Sequence, residues 1–233
     1  MLAIMRRELA VYFRSPVGYI FLAVFYFFAG YFFFANNLFG MNADLGGVFS
    51  GLYTLLLFLI PILTMRLLSE ERKNKTEQAL LTAPVTLTGM VLGKYLAAVV
   101  VFAIGLAVTL VYALVIATMT SPNWGLVFGN FVATLLLGMS LIAIGVFISS
   151  LTENQVIAAV GGFGVGLGFL LIGALRTVFT GTLGALIGVV SFYERYHSFS
   201  LGIFRFEDIL FFVSVAVIFL FLSVRVFEKR RWS

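Results

Sequence analysis

The sequence predicts an all-α integral membrane protein with six transmembrane helices, and three observations predict it. Of 233 residues, 62% are hydrophobic and only 11% are charged, against roughly 25% charged in a soluble domain. With a mean hydropathy of +1.12, the chain has too little polar surface to cover a water-soluble globule. Six segments approach the length of apolar helix, about 20 residues, that a bilayer requires: 17–35, 48–68, 94–118, 126–150, 156–176 and 208–227. Finally, the basic residues sort by connection. Arg6, Arg7, Arg14, Arg66, Arg72, Lys73, Lys75, Lys94, Arg225, Lys229, Arg230 and Arg231 fall on one side of a six-span arrangement, and only Arg176, Arg195 and Arg205 on the other. Positive residues mark the cytoplasmic side, so both termini and the 69–93 connection are expected in the cytoplasm, with the chain a single transmembrane domain of the inner membrane.

The first fifteen residues alternate Leu2, Ile4, Met5, Leu9, Val11, Tyr12 and Phe13 with Arg6, Arg7, Glu8 and Arg14. That pattern predicts a short amphipathic helix lying along the inner interface and stopped near Ser15-Pro16. A plain basic anchor is the alternative reading. The run from 17 to 35 is about full span length and no small-x-small cleavage site follows, which favours an uncleaved first span over a signal peptide.

Between the second and third spans lies the one long polar island, Ser69 to Pro84. Asn74, with Glu77 three residues on, has the form of a helix N-terminal cap. The helix is predicted from about Lys75 to Thr82. Pro84 stops it, because a proline pushes the residue before it out of helical geometry. Thr76, Ala79, Leu80 and Ala83 share one face at spacings of three and four. Such a face needs a docking surface, and a loop hugging the headgroups is the competing reading.

The fifth span is rich in small residues. Ala158, Gly162 and Gly166 fall four apart, as do Gly164 and Gly168, and such lines let helices approach closely in lipid. Packing within the chain and a pathway or subunit interface both fit. A further apolar stretch, 178–190, is broken by Gly181, Gly184 and Gly188. It is expected to be re-entrant or interfacial within an extracytoplasmic 177–207 segment, since a seventh span would put the basic tail outside. The aromatic and charged residues from Ser191 to Asp208 suggest an interfacial cap, with contact to an extracytoplasmic partner as the other use.

Several chemistries are excluded or disfavoured. There is no Cys and a single His, His197, so a zinc site would need an improbable all-carboxylate set. No Ser/His/Asp set assembles around His197, no catalytic residue is expected, and a basic nucleic-acid surface is not indicated. A phosphate-cradling loop needs Gly, four residues, then Gly-Lys-[Ser/Thr]. The nearest match, Gly89 to Tyr95, is one residue short and carries Tyr95 at the hydroxyl position. Arg66, Lys94, Arg176 and Arg225 all fall near span ends, where long side chains are expected to snorkel. Without mid-span charge, a proton- or ion-coupled carrier is disfavoured.

Several segments together resemble type-2 ABC exporter permeases. They are Glu70-Glu71, Thr76, Leu80-Leu81-Thr82-Ala83-Pro84 and Gly93-Lys94, which are similar to the coupling-helix region of that family. Arg14-Ser15-Pro16-Val17-Gly18-Tyr19, Pro61-x-x-Thr64-Met65-Arg66 and Ser149 to Gln155 agree in order, and the set is similar to the gliding-motility-associated subgroup. Where the family usually has Gly before the Thr and Glu two residues after it, this chain has Lys75 and Gln78, with Glu77 one position early. The resemblance implies a permease subunit, an exporter, without its own ATP site. ATP and Mg would be bound by a partner ABC ATPase docking on Glu70, Glu71, Thr76, Glu77, Gln78, Leu80, Leu81 and Pro84. A second permease subunit, identical or different, would pair with it, and the fifth-span small residues would lie at the pathway or subunit interface. The rival functions are a channel or secondary carrier, and a membrane scaffold of a larger complex.

Overall fold

The computed structural model describes residues 1–73, 86–179, 181–203 and 205–231. Within them the chain is helical, with no strand, and six helical segments are long and apolar enough to cross a membrane: Pro16–Phe39, Gly46–Lys73, Leu87–Met119, Trp124–Leu151, Gln155–Arg176 and Phe206–Lys229. The predicted coupling helix, with Thr76, Glu77, Gln78, Leu80, Leu81 and Pro84, lies outside the described residues.

In chain order the helices are α1 (Leu2–Arg14), α2 (Pro16–Phe33), α3 (Gly46–Thr64), α4 (Ser69–Lys73), α5 (Leu87–Leu106), α6 (Val108–Met119), α7 (Trp124–Leu151), α8 (Gln155–Val178), α9 (Gly181–Val190), α10 (Phe192–Ser200) and α11 (Phe206–Arg231). Pro16 occupies the first turn of α2, where its missing N–H costs nothing, so a sharp corner separates α1 from the first span. That span continues past α2 as a π-helix, Phe34–Phe39. There Asn36 donates to the Phe32 carbonyl at 2.9 Å and Asn37 to the carbonyls of Asn42 and Asp44. Side-chain amides of this kind compete with the regular helical ladder.

Helices α3 and α7 form the centre of the bundle, with α2 and α8 against α3, and α11 and α10 against α7. The close approaches use glycine. A Cβ at Gly51 would stand 2.7 Å from the Phe32 ring, and one at Gly138 would collide with the Phe102 ring. Several polar groups buried at these crossings find partners on a neighbouring helix, as lipid favours. Ser140 donates to the Phe212 carbonyl at 2.8 Å, linking α7 to α11.

The third span departs from the sequence expectation in two ways. The third span starts at Leu87 rather than at 94, because Thr86 caps it and accepts from the Gly89 N–H at 3.2 Å. It is also broken at Ala107, between α5 and α6, where the Thr109 hydroxyl takes the Leu106 carbonyl at 2.8 Å. The 178–190 stretch contains the 10-residue helix α9. At about 1.5 Å per residue it is about half the length a bilayer crossing needs.

Candidate functional site

The polar island leaves the second span through a braced corner. Helix α3 ends at Thr64, turns through 65–68 and resumes as α4. Such a break exposes backbone N–H groups that must find partners when buried. Ser149, fully buried on α7, supplies them. Its hydroxyl oxygen accepts from the Leu68 and Ser69 N–H groups at 3.1 Å each and its proton goes to the Met65 carbonyl at 3.0 Å. Arg66 pairs with Glu70 at 3.1 Å and donates to the Ser15 hydroxyl at 2.9 Å. Tyr12 donates to the Leu63 carbonyl at 2.8 Å. Burial pushes the Tyr12 phenol far above its ordinary pKa, with Glu8 adding to the effect and Arg66 opposing it, so the group remains a neutral donor. Three segments distant in sequence, around Ser15, Arg66 and Ser149, thus meet at one corner.

Beside this corner sits an ion cluster. Lys94 Nζ lies 2.9 Å from Glu8 Oε1 and 3.0 Å from Glu71 Oε1. The Lys94 side chain is 3% exposed, and those of Glu8 and Glu71 are 12% and 13% exposed. Lys94 therefore does not snorkel, as its place near a predicted span end suggested. With α5 starting at Leu87, it falls well inside the helix and ties α1 to α4. The close packing of α1 on α5 needs Gly93, where a Cβ would stand 3.1 Å from Ile4. A lone buried ammonium would be prohibitively costly, and two carboxylates within hydrogen-bond range offset that cost. Arg7, Glu8, Tyr12, Arg66, Glu70, Glu71 and Lys94 line a cavity of about 150 Å³ here. On the other side of α4, Arg72 reaches Glu153 at 2.9 Å, in the turn between α7 and α8. That pair is far more exposed at Glu153 and contributes little by itself.

Of the residues singled out for ATPase coupling, Glu70 and Glu71 are described, and both are engaged with the chain's own cations. Sequence reasoning placed Lys94, Ser149 and Glu153 in family-like motifs but gave neither them nor Glu8 a role, and the structure makes all four functional candidates. No sequence pattern pairs Lys94 with Glu8 across 86 residues. The order of the Ser15, Arg66 and Ser149 segments was the available signal, without any indication that they meet.

The fifth-span small residues divide into two groups. Gly162 packs on Pro61, where a Cβ would fall 2.7 Å from the proline ring, and Gly166 packs on Leu57, where a Cβ would fall 2.6 Å from the carbonyl oxygen. Ala158, on the same line, is 3% exposed. This line serves contact between α8 and α3 within the chain. Gly164 and Gly168 have nothing within 4 Å of a Cβ, and Val160, Leu167 and Leu171 are exposed on the same helix.

At the opposite end of the bundle, α10 is anchored rather than laid loosely over the helices. Tyr196, 2% exposed, donates to the Phe49 carbonyl at 2.8 Å and lies 2.9 Å from the Thr134 hydroxyl. Arg195 pairs with Asp208 at 3.0 Å and stacks over Phe211. His197 is exposed and faces the Tyr193 ring. Among the described residues no group of His, Cys, Asp and Glu is placed to hold a metal.

Six apolar helices, with an ion-paired corner at the root of the polar island, define a multi-pass membrane protein. Residues 5–163 match the model of the ABC-2 family transporter protein family, and the chain belongs to that family. It is the membrane permease of an ABC transporter, and membership implies pairing with an ABC ATPase. No curated protein matches the sequence.

Proposed function

We propose that the chain is the permease subunit of an exporter whose 69–84 segment, on the cytoplasmic face, receives the stroke of a separate ATPase. The observation that carries this reading is the Lys94 cluster. The segment's N-terminal root, α4, is tied by one buried ammonium to α1 and α5, by Ser149 to α7 and by Arg72 to the α7–α8 turn. A displacement of the 74–85 stretch is then carried into four helices at once. Packed elements of this kind shift between discrete arrangements rather than deform continuously. The twelve-to-three distribution of basic residues supports cytoplasmic termini and an inner-membrane location.

ATP and Mg belong to the partner in this reading, because the near-match at Gly89–Lys94 lies within α5, with Gly93 pressed against Ile4 and Lys94 occupied by two carboxylates. Two permease subunits form the pathway, and the uncovered side of α8 at Gly164 and Gly168 is the surface offered to the second copy. The order of motifs around Ser15, Arg66, Leu80 and Ser149 favours the gliding-motility-associated subgroup. A gradient-driven carrier is disfavoured because the buried charged residues among those described, Lys94 and Asp208, are each committed to ion pairs within the chain.

Co-purification tests the docking role. With residues 74–84 replaced by a Gly/Ser linker, the ATPase is expected to be lost from the purified complex while the permease remains folded. An ATPase that still binds and hydrolyses normally in that complex would overturn the reading.

A further inference from the structure

The end of the bundle opposite the Lys94 cluster holds a second cavity, of about 260 Å³, between the turn after the first span and the turn entering α7. Its polar wall is Asn42, Asp44, Ser121, Asn123 and Asn130. The geometry is built rather than incidental. Asn37 donates to the carbonyls of Asn42 and Asp44 at 2.7 and 2.9 Å and fixes that turn. Asn123 Oδ1 caps α7 by accepting from Gly125 and Leu126.

Two features of the wall specify the chemistry of an occupant. Asn130 is 1% exposed and its Nδ2 donates to the Leu126 carbonyl at 2.9 Å, yet its Oδ1 has no donor among the described residues. A buried acceptor without a donor is costly, so the site calls for an occupant that donates. Asp44 is the single ionisable residue in the wall and no basic side chain joins it. One Asp44 oxygen already accepts from the Gly46 N–H at 3.0 Å. An anion is disfavoured there, and a quaternary ammonium, which has no N–H, leaves the amide unsatisfied. A primary ammonium answers both the carboxylate and the amide oxygen.

We propose that this cavity binds a small primary ammonium group, carried by a lipid headgroup or by a free amine. The lipid source suits its position at the end of the spans, where headgroups lie. Ser121 and Asn123, both exposed at the cavity edge, are donors available to the phosphate of such a headgroup.

The test uses the purified full-length chain, with phosphatidylethanolamine, phosphatidylcholine and free ethanolamine as probes and native mass spectrometry or thermal shift as readout. Phosphatidylethanolamine is expected to bind about tenfold more tightly than phosphatidylcholine, the scale of one charge-assisted hydrogen bond. That preference should vanish in Asp44→Asn, where the amide oxygen still accepts from the Gly46 N–H, and in Asn130→Leu if that variant folds. Protection by free ethanolamine as well identifies a free amine as sufficient, whereas protection by the lipid alone identifies the headgroup. Equal binding of the two lipids, or a preference that survives Asp44→Asn, overturns the proposal and leaves water as the occupant.

Discussion

Lys94 and Glu8 are joined at 2.9 Å across 86 residues of sequence, with the lysine side chain 3% exposed. The pair links the helix preceding the first span to the interior of the third, and Glu71 at 3.0 Å adds the root of the polar island. Removing the cation leaves two nearly buried carboxylates facing each other. Lys94→Ala is therefore expected to cost about 3–5 kcal/mol, the range for breaking a buried pair from one side. Thermal unfolding in detergent measures it. Adding Glu8→Gln and Glu71→Gln to Lys94→Met should restore most of the loss, because it removes the stranded charges.

Ser149 serves three backbone groups at the corner after α3. Ser149→Ala strands the Leu68 and Ser69 N–H groups and should cost about 1–3 kcal/mol. Ser149→Thr keeps the hydroxyl and is expected to retain more stability than Ser149→Ala in the same unfolding assay. Equal losses in the two variants would count against the hydrogen-bond account and point to packing alone.

The fifth-span glycines should separate by phenotype. Gly166→Leu drives a side chain into the Leu57 carbonyl and Gly162→Leu into Pro61, so both are expected to reduce folded yield by overpacking, a cost of about 1–3 kcal/mol or more. At Gly164 and Gly168 a Cβ has nothing within 4 Å, so Gly164→Leu and Gly168→Leu start into open space. They should fold normally and weaken self-association, read by chemical cross-linking or size analysis in lipid nanodiscs. Unchanged association in both would remove this side of α8 from the subunit interface.

Tyr196 anchors α10 through its hydroxyl to Phe49 and Thr134, and burial pushes that phenol far above its ordinary pKa, with the Thr134 hydrogen bond opposing the shift. Tyr196→Phe should cost about 0.5–1.5 kcal/mol. The double change Tyr196→Phe with Thr134→Val should cost less than the sum of the two, and a double-mutant cycle reads the coupling.

Much of the fold was legible in the sequence because the bilayer imposes a length and a composition on each span. The six segments found from hydropathy are the six helices of the bundle, with edges shifted where local caps act: Thr86 starts the third span a full turn and more before Lys94, and Asn36 and Asn37 extend the first beyond 35. The corner at Ser69 was visible only as three motifs in order. That they meet depends on Pro16 turning α1 back over α5, and on the break at 65–68 that Ser149 satisfies. Lys94 was misleading for a physical reason. A lysine beside an apolar run usually marks a boundary, and only its partners on other helices keep it inside. The two glycine lines of α8 have the same spacing and differ only in what faces them, which spacing does not encode.

The claim that the polar island is the ATPase's handle is tested most directly by site-directed cross-linking, for which a chain with no Cys is suited. Single substitutions Leu80→Cys, in the island, and Ala43→Cys, in the turn at the other end of the bundle, would be introduced and the permease co-expressed with its ATPase. A maleimide–succinimide reagent is predicted to join the ATPase to the chain at position 80, with a yield that changes on adding ATP, and not at position 43. Failure at position 80 in a complex that still co-purifies and hydrolyses ATP, or equal yields at both positions, would contradict it.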